Sequence, residues 1–527
     1  MKTTKFFTAI VLIGTLAATL WFWQQQQQGD RESLTVNDSE LPVALEPAVV
    51  KLIDGDTYDL TAGFVKKEIA GKEYRMLAYN GSIPGPLLTV PQGSTITVNL
   101  KNETSIPTTL HSHGVRLENE FDGVPEVTQP LVQPGASFVY RITFADAGMY
   151  WYHPHFREDY AQELGLYGNY LVMPEKQDYW NPVNREVPLV LDDLLIENSE
   201  IRLSAVQANR TLMGRYGNVM LVNGETEYEL AAKQGEVIRF YLTNAANARP
   251  FRIAIAGARM KLVGADAGAY LRETWVEDVT IGPSERAIIE VLFAQPGRYT
   301  LENRTPLGTT ALGTIAVESE SVETSYAEAF ALLSQHPEVI ANVTSLSEHM
   351  ARPPDKQLTL SLDMGTEMMR MMQGTSHGGG HTVHGGAFAP SEDGIEWEDT
   401  NPMMNVMSTS EMMQWKIVDA ETGKKNMDID WEFTKGDFVK IRIVNGGDSL
   451  HPMQHPVHFH GQRFLVLARN GAAEDNPAWK DTVLIPAGET TDILVEMSNL
   501  GEWMAHCHIA EHLEAGMMFT FKVTNAS

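Results

Sequence analysis

Gly93-Ser94-Thr95-Ile96-Thr97-Val98-Asn99-Leu100-Lys101-Asn102 reads as a glycine turn, a strand of period two and a closing asparagine. The pattern returns at residues 235–244, G-E-V-I-R-F-Y-L-T-N, and at 436–445, G-D-F-V-K-I-R-I-V-N, each time with asparagine nine residues after the glycine. Each copy is followed by a second repeated feature, a Pro/Gly turn, a β-rich run, and then glycine beside an aromatic: Gly148-Met149-Tyr150, Gly297-Arg298-Tyr299 and Gly501-Glu502-Trp503. Three copies of such a unit, each of β-sandwich size, predict an all-β chain of three domains. The length of 527 residues agrees, being too great for one core.

The first and second repeat glycines are 142 residues apart, and the second and third 201 apart, so an extra segment lies between the last two copies. It falls in residues 321–413. A helical connector over 326–350, with Phe330, Leu332, Leu333 and Ile340 as its apolar side, leads there into a loop rich in methionine and histidine. The expected division is 46–180, 181–320 and 414–527 for the three sandwiches, with 321–413 between the second and third. Residues 29–45, polar and acidic, read as a linker. Before them Lys2 and Lys5 precede eighteen uncharged residues, 6–23, and the run Gln24–Gln28, so 1–28 is a signal peptide or an N-terminal membrane anchor. Either one exports the chain, to the periplasm or another extracytoplasmic place. The formal net charge of −28 excludes nucleic acid as a partner, since phosphates would repel it.

Five and seven residues after the glycine of the second feature stand His153 and His155 in copy one and His506 and His508 in copy three, but Glu302 and Arg304 in copy two. Copies one and three therefore carry metal, and copy two is a spacer. Cys507, the only cysteine, lies between His506 and His508, with His512 and Met517 following. A thiolate, imidazoles and a weak axial thioether form an electron-transfer copper site. Side chains alternate along an extended segment, so His506 and His508 point away from the Cys507 copper toward a second centre. Further pairs are His111-Ser112-His113 and His458-Phe459-His460. On a strand both rings of such a pair leave one face, and the four pairs supply eight imidazoles, enough for three coppers as two sets of three and one of two. His455 and His512 remain to complete the Cys507 site.

In order, spacing and flanking residues these clusters resemble the four copper signatures of the three-domain multicopper oxidases, and residues 45–527 are similar to a bacterial or archaeal laccase or copper efflux oxidase. The resemblance implies three consecutive cupredoxin-like Greek-key β-sandwich domains and four copper ions. It implies that His455, Cys507, His512 and axial Met517 hold a type 1 copper and that His111 and His458 hold the type 2 copper. His113, His153 and His508 would hold one type 3 copper, and His155, His460 and His506 the other. The implied activity is one-electron oxidation of a donor at the type 1 copper, coupled to four-electron reduction of O2 to water at the trinuclear cluster. Relatives of the copper efflux oxidase carry a glutamate directly after the last type 1 histidine, where this chain has Leu513. Asp122, in Phe121-Asp122-Gly123, matches the family's other acid near the trinuclear site and is the candidate proton donor.

Ten of the 24 methionines fall between Met364 and Met413, separated by His377, His381 and His384, a composition that collects copper. Met453, two residues before His455, matches a substrate-site methionine of the copper efflux oxidases, and His451 stands where they have an acid. Cu(I) is the expected donor, with a role in copper tolerance. A phenol, as in laccases, or Fe(II), as in ferroxidases with Asp448 and Glu514 as candidate iron ligands, is the alternative donor. A copper carrier or assembly factor is the non-enzymatic alternative, and a monomer is expected.

Overall fold

The computed structural model describes residues 40–204, 208–365, 392–447 and 451–526. The leader or anchor expected in 1–28 lies outside the described residues, as do Met368, Met369, Met371, Met372, His377, His381, His384 and Asp448. Among the described residues no helix is long and apolar enough to cross a membrane.

Each repeated strand lies inside a sheet with the same two neighbours. Thr95–Asn102 runs parallel to Thr57–Ile69 and antiparallel to Ser137–Thr143. Glu236–Asn244 does so with Arg185–Leu194 and Arg286–Phe293, and Phe438–Asn445 with Lys356–Met364 and Thr490–Glu496. The repeated glycine ahead of each strand has φ of +82°, +81° or +98°, a turn conformation that a side chain would strain. The repeated asparagine is a buried clamp. Asn102 donates from Nδ2 to the carbonyls of Ile106 and Val132, Asn244 to those of Arg249 and Ile281, and Asn445 to those of Met453 and Ile485, all at 2.7–3.0 Å. Leaving such carbonyls unpaired in the interior costs about 1–3 kcal/mol each, which gives the residue a structural reason to recur.

A second sheet packs on the first in every sandwich, and the strand starting with the second glycine of the repeat sits inside it. The order is Val49–Lys51, Leu87–Pro91, Gly168–Met173, Gly148–His153, His111–His113 in the first sandwich. It is Trp431–Thr434, Met518–Thr524, Gly501–Cys507, His455–Phe459, Thr482–Ile485 in the third. One continuous cluster of buried apolar residues joins these two sandwiches, from Leu60 and Trp151 to Trp415 and Cys507, whereas Leu189, Phe240 and Ile289 of the second belong to a separate cluster. The first and third sandwiches thus share one apolar core, while most of the second keeps its own.

Three expectations are corrected. Lys356–Met364, expected in the connector, pairs with Phe438–Asn445 and Met413–Asp419 and so belongs to the third sandwich. The methionine-rich loop is therefore an insertion inside that domain. The connector is three short helices, Ala327–Ala331, Pro337–Ser345 and Ser347–Ala351, broken where Leu332 is extended and Pro337 restarts the turn. Restarting shifts the apolar face to Phe330, Val339 and Val343, and Leu332 and Leu333 are exposed. The end of the expected linker is docked, with Ala44 and Leu45 donating to the carbonyls of Lys66 and Gly81.

Candidate metal centre

The strand pairing brings the histidines face to face. His111 lies opposite His153 in the first sandwich, and His458 opposite His506 in the third. Only His111 and His113 both lie on a strand. His155, His460 and His508 fall just past strand ends, because those strands finish at His153, Phe459 and Cys507. Across the interface the rings of His113 and His458 stack at 3.7 Å, those of His111 and His460 stand 4.1 Å apart, and His155 Nε2 is 3.4 Å from His506 Nε2, which lies 3.0 Å from His460 Nε2 within the third sandwich. Metal-competent groups, with donor atoms within 4.8 Å of one another, are His111/His458/His460, His113/His153/His508 and His155/His460/His506. All eight of these histidines are buried.

Backbone carbonyls set the ring orientations. His111 donates from Nδ1 to the Asp122 carbonyl (2.6 Å), His458 to Asp481 (2.7 Å), His153 to Pro154 and His506 to Cys507 (2.9 Å each). That tautomer turns the basic Nε2 of each ring inward. Nε2 of His111, His153 and His458, and both ring nitrogens of His113 and His508, make no hydrogen bond to the protein, the Asp481 carboxylate standing 3.4 Å from His113 Nδ1. At about 1–3 kcal/mol per orphaned buried polar atom these seven alone would cost about 7–20 kcal/mol, comparable to the whole stability of a domain. A set of inward imidazoles that the protein leaves unpaired fits a metal cluster. Burial lowers the pKa of His506 to about 4 and so keeps it in the neutral form that ligates. His113, His153, His155, His458, His460 and His508 are lowered further by burial and then by neighbouring imidazoles.

The second group is His455/Cys507/His512. His455 Nδ1 and His512 Nδ1 stand 3.3 Å apart, and 3.6 and 3.7 Å from Cys507 Sγ. Such a triangle fits three donors about 2.0–2.3 Å from a common centre, the range of protein imidazole and thiolate bonds to a metal. Burial pushes the Cys507 thiol up, so only a bound cation makes its thiolate favourable there. Met517 is buried at the same end of the chain, its N–H donating to the His512 carbonyl and its carbonyl accepting from Cys507. His506 and His508 face the interface cage, on the other side of the strand from Sγ.

Asp122 is buried, and its Oδ2 accepts from His460 Nδ1 at 2.9 Å while its Oδ1 lies 3.4 Å from His111 Nδ1. It is more than a turn aspartate. Gly123 has φ +85°, and a Cβ there would collide with the Leu110 carbonyl, so glycine lets this loop reach the histidines. Met453 and His451 are both buried, and burial lowers the His451 pKa to about 4. Leu513 is buried in a small apolar group with Val124 and Met504.

Four residues near the centre escape sequence inspection. Trp415 stands over both histidines of the Cys507 group, 4.3 Å from the His512 ring and 4.7 Å from His455. Glu158 brings Oε1 within 3.5 Å of His155 Nδ1, and burial pushes its carboxyl well up. Asp481 brings Oδ1 within 3.4 Å of His113 Nδ1, and Arg286 grips Asp481. A tryptophan on a strand, a helix-start glutamate and an arginine far along the chain carry no local signature. The acid before the strand Thr482–Ile485 shows its use only through pairing with His455–Phe459.

Family models described as multicopper oxidase match residues 63–177, 177–321 and 396–527. The chain is 25% identical over 498 residues to "Multicopper oxidase mco" of Staphylococcus aureus, covering 93% of each chain. It is 24% identical to "Copper resistance protein A homolog" of Pseudomonas syringae pv. tomato, over 89% of this chain and 93% of that one. A solved structure titled as a multicopper oxidase from Campylobacter jejuni, "a metallo-oxidase", superposes with a TM-score of 0.68 at 23% identity, over 92% of this chain and 98% of the other. With three matched family segments placed on the three cupredoxin-like sandwiches, the chain belongs to the multicopper oxidases, copper-dependent oxidoreductases.

Proposed function

We propose that this oxidase takes electrons from Cu(I) and delivers them to O2, converting the more toxic copper ion to Cu(II) outside the cytoplasm. Bound copper supplies one-electron oxidation at the Cys507 group and four-electron reduction of O2 to two waters in the histidine cage. The proposed complement is four ions. His455, Cys507 and His512, with Met517 as a further candidate ligand, would hold the type 1 ion, and His111 and His458 the type 2 ion. His113, His153 and His508 hold one type 3 ion, and His155, His460 and His506 the other. Cys507 is bonded through the backbone to His506 and His508, so one strand end links donor and acceptor sites. Asp122, hydrogen-bonded to His460, is the proposed proton donor on a chain that has Leu513 where relatives have an acid.

The observation carrying the choice of donor is where the methionine-bearing insertion is rooted. Met364 pairs with Met413, and two residues further Trp415 covers the rings of His512 and His455. The helix Pro402–Met407 holds Met403 and Met407 exposed, and its Asn405 ties back to Met213 and Gly214, beside Ile509 and Glu511. Thioethers select Cu(I), and here they border the group that would accept its electron. Met453 and His451, buried one turn of chain before His455, are the proposed inner acceptor site. The name of the Pseudomonas syringae relative supports copper resistance, and "metallo-oxidase" in the Campylobacter jejuni title supports a metal donor. For Fe(II), Glu514 is exposed, the exception in residues 510–515. The stretch 1–28 supports export or anchoring, and the presence of every ligand group in one chain supports a monomer.

Oxygen uptake by the copper-loaded protein, with Cu(I) or a phenol as donor, tests the reading. Met453→Leu, and separately M368L/M369L/M371L/M372L, should lower kcat/KM for Cu(I) at least about tenfold, roughly 1.4 kcal/mol, and leave phenol turnover within twofold. Equal loss on both donors would sink the Cu(I) assignment and leave a phenol oxidase.

A further inference from the structure

The middle sandwich sends no histidine to the cage, yet one of its side chains ends there. Arg286 begins the strand Arg286–Phe293 and is buried. Its guanidinium engages both carboxylate oxygens of Asp481 from the third sandwich, Nη1 to Oδ1 at 2.7 Å and Nη2 to Oδ2. Nε donates to the Met149 carbonyl of the first sandwich and Nη1 also to Ser284, both at 2.8 Å. Asp266 accepts from the backbone N–H of Arg286 (2.7 Å) and of Asp481 (3.3 Å). All three sandwiches therefore meet at one arginine–aspartate pair. Gly114, directly after His113, makes room for it, because a Cβ at φ +78° would collide with both the carboxylate and the guanidinium.

The oxygen of Asp481 that Arg286 Nη1 holds also faces the cage. Oδ1 lies 3.4 Å from His113 Nδ1 and 3.6 Å from His458 Nδ1, the two rings that stack across the interface. His113, His458 and Asp481 themselves form a group whose donor atoms are close enough to hold a metal ion, overlapping the histidine sets. A loose carboxylate at that position is a competing ligand. It is a hard, charged oxygen that would draw a cation away from an imidazole set and change its geometry. A two-pronged guanidinium occupies both oxygens in fixed directions, which a lysine could not do.

We propose that Arg286 is a positioning residue of the copper centre: its bidentate grip keeps Asp481 from becoming a copper ligand and holds it as an orienting acceptor beside His113 and His458. The inference rests on the proposed assignment of His113 and His458 to the cage. It gives the middle sandwich a part in the site beyond spacing the other two.

The test uses four copper-loaded full-length proteins: wild type, Arg286→Met, Asp481→Asn and the double variant. Three properties are measured: the type 2 Cu(II) electron paramagnetic resonance signal, the copper retained during dialysis against a chelator, and the blue absorption of the Cys507 site. In Arg286→Met the type 2 signal should change as a carboxylate oxygen joins the ligands, while the blue band stays. Adding Asp481→Asn should return the signal toward wild type, because the amide is a poor ligand. Asp481→Asn alone should keep the signal and lose copper several-fold faster. An unchanged signal in Arg286→Met, or a double variant as altered as Arg286→Met, overturns the clamp and leaves a packing arginine. If Arg286→Met does not fold, Asp481→Asn decides alone, and copper retention equal to wild type overturns the proposal. A wild type with no type 2 signal overturns the cage assignment itself, a result distinct from failure of the clamp.

Discussion

In the first sandwich His111 faces His153, in the third His458 faces His506, and in the second Ala254 faces Glu302. The strands correspond, the starting glycines correspond, and the chemistry differs at the paired positions. Glu302 is satisfied locally, its Oε2 accepting from Arg304 Nε at 2.8 Å, so this strand position needs no partner from another sandwich. The imidazoles of the other two are buried with inward nitrogens that the protein leaves unpaired. One fold thus makes either a domain without metal ligands or half of a site, according to whether the polar groups at these strand positions are paired at home.

The largest effect separating the two cases is at Cys507. Cys507→Ser replaces the soft donor shared by His455 and His512 and should abolish oxidation of every donor, to background oxygen uptake, with loss of the blue band. The cage histidines are untouched, so about three of four coppers should remain by metal analysis. Loss of all copper would show that the two halves of the centre cannot be occupied independently.

Metal removal comes next. Copper held at a thousand times its dissociation constant adds about 4 kcal/mol to the folded state. At about 2–4 °C per kcal/mol for a domain of this size, the apoprotein should melt about 8–16 °C lower. The separate core of the second sandwich predicts that this fall belongs to the transition that reports the first and third. A uniform shift of all three would break the comparison.

Proton competition is a milder perturbation. Burial lowers the pKa to about 4 for His506 and about 3 for His455, against about 6.5 for a free imidazole. A lowered pKa means that protons compete with copper only at lower pH. Copper content after dialysis should hold at pH 5.5 and fall between about pH 4 and pH 3. Loss near pH 6.5 would mean that the rings are solvated, contrary to their burial.

How much of this was readable from residues alone follows the same division. The three sandwiches were legible because Asn102, Asn244 and Asn445 close identical local patterns, and the histidines because they repeat at fixed distances from a glycine. Their partition among coppers came from family resemblance, since spacing left the sets open. Arg286 and Asp481 were not legible. They are 195 residues apart, and an ion pair between domains leaves no trace in local periodicity. The connector failed for a related reason, as Leu332 and Leu333 keep a helical spacing across a break that Pro337 enforces. The strand Lys356–Met364 was lost among methionines whose composition spoke louder than its alternation.

The smallest effect is the sharpest test of what the repeat supplies. Glu302→His/Arg304→His puts histidines at the positions of His153 and His155 in the one sandwich that lacks them. The half-buried pair it removes is worth about 1 kcal/mol, so the melting temperature should move by a few degrees at most. Copper content should not rise. The residue opposite position 302 is Ala254, in Phe251–Ile255, which offers no imidazole, and the strand continues to Thr305 in a hairpin with Gly308–Ser321 rather than ending at an interface. Histidine alone does not make the site. It must stand at a strand end, opposite a second histidine, on a face that another sandwich buries. Tight extra copper in that variant would show that the local repeat suffices and that the interface between the first and third sandwiches contributes less than its buried, unpaired nitrogens imply.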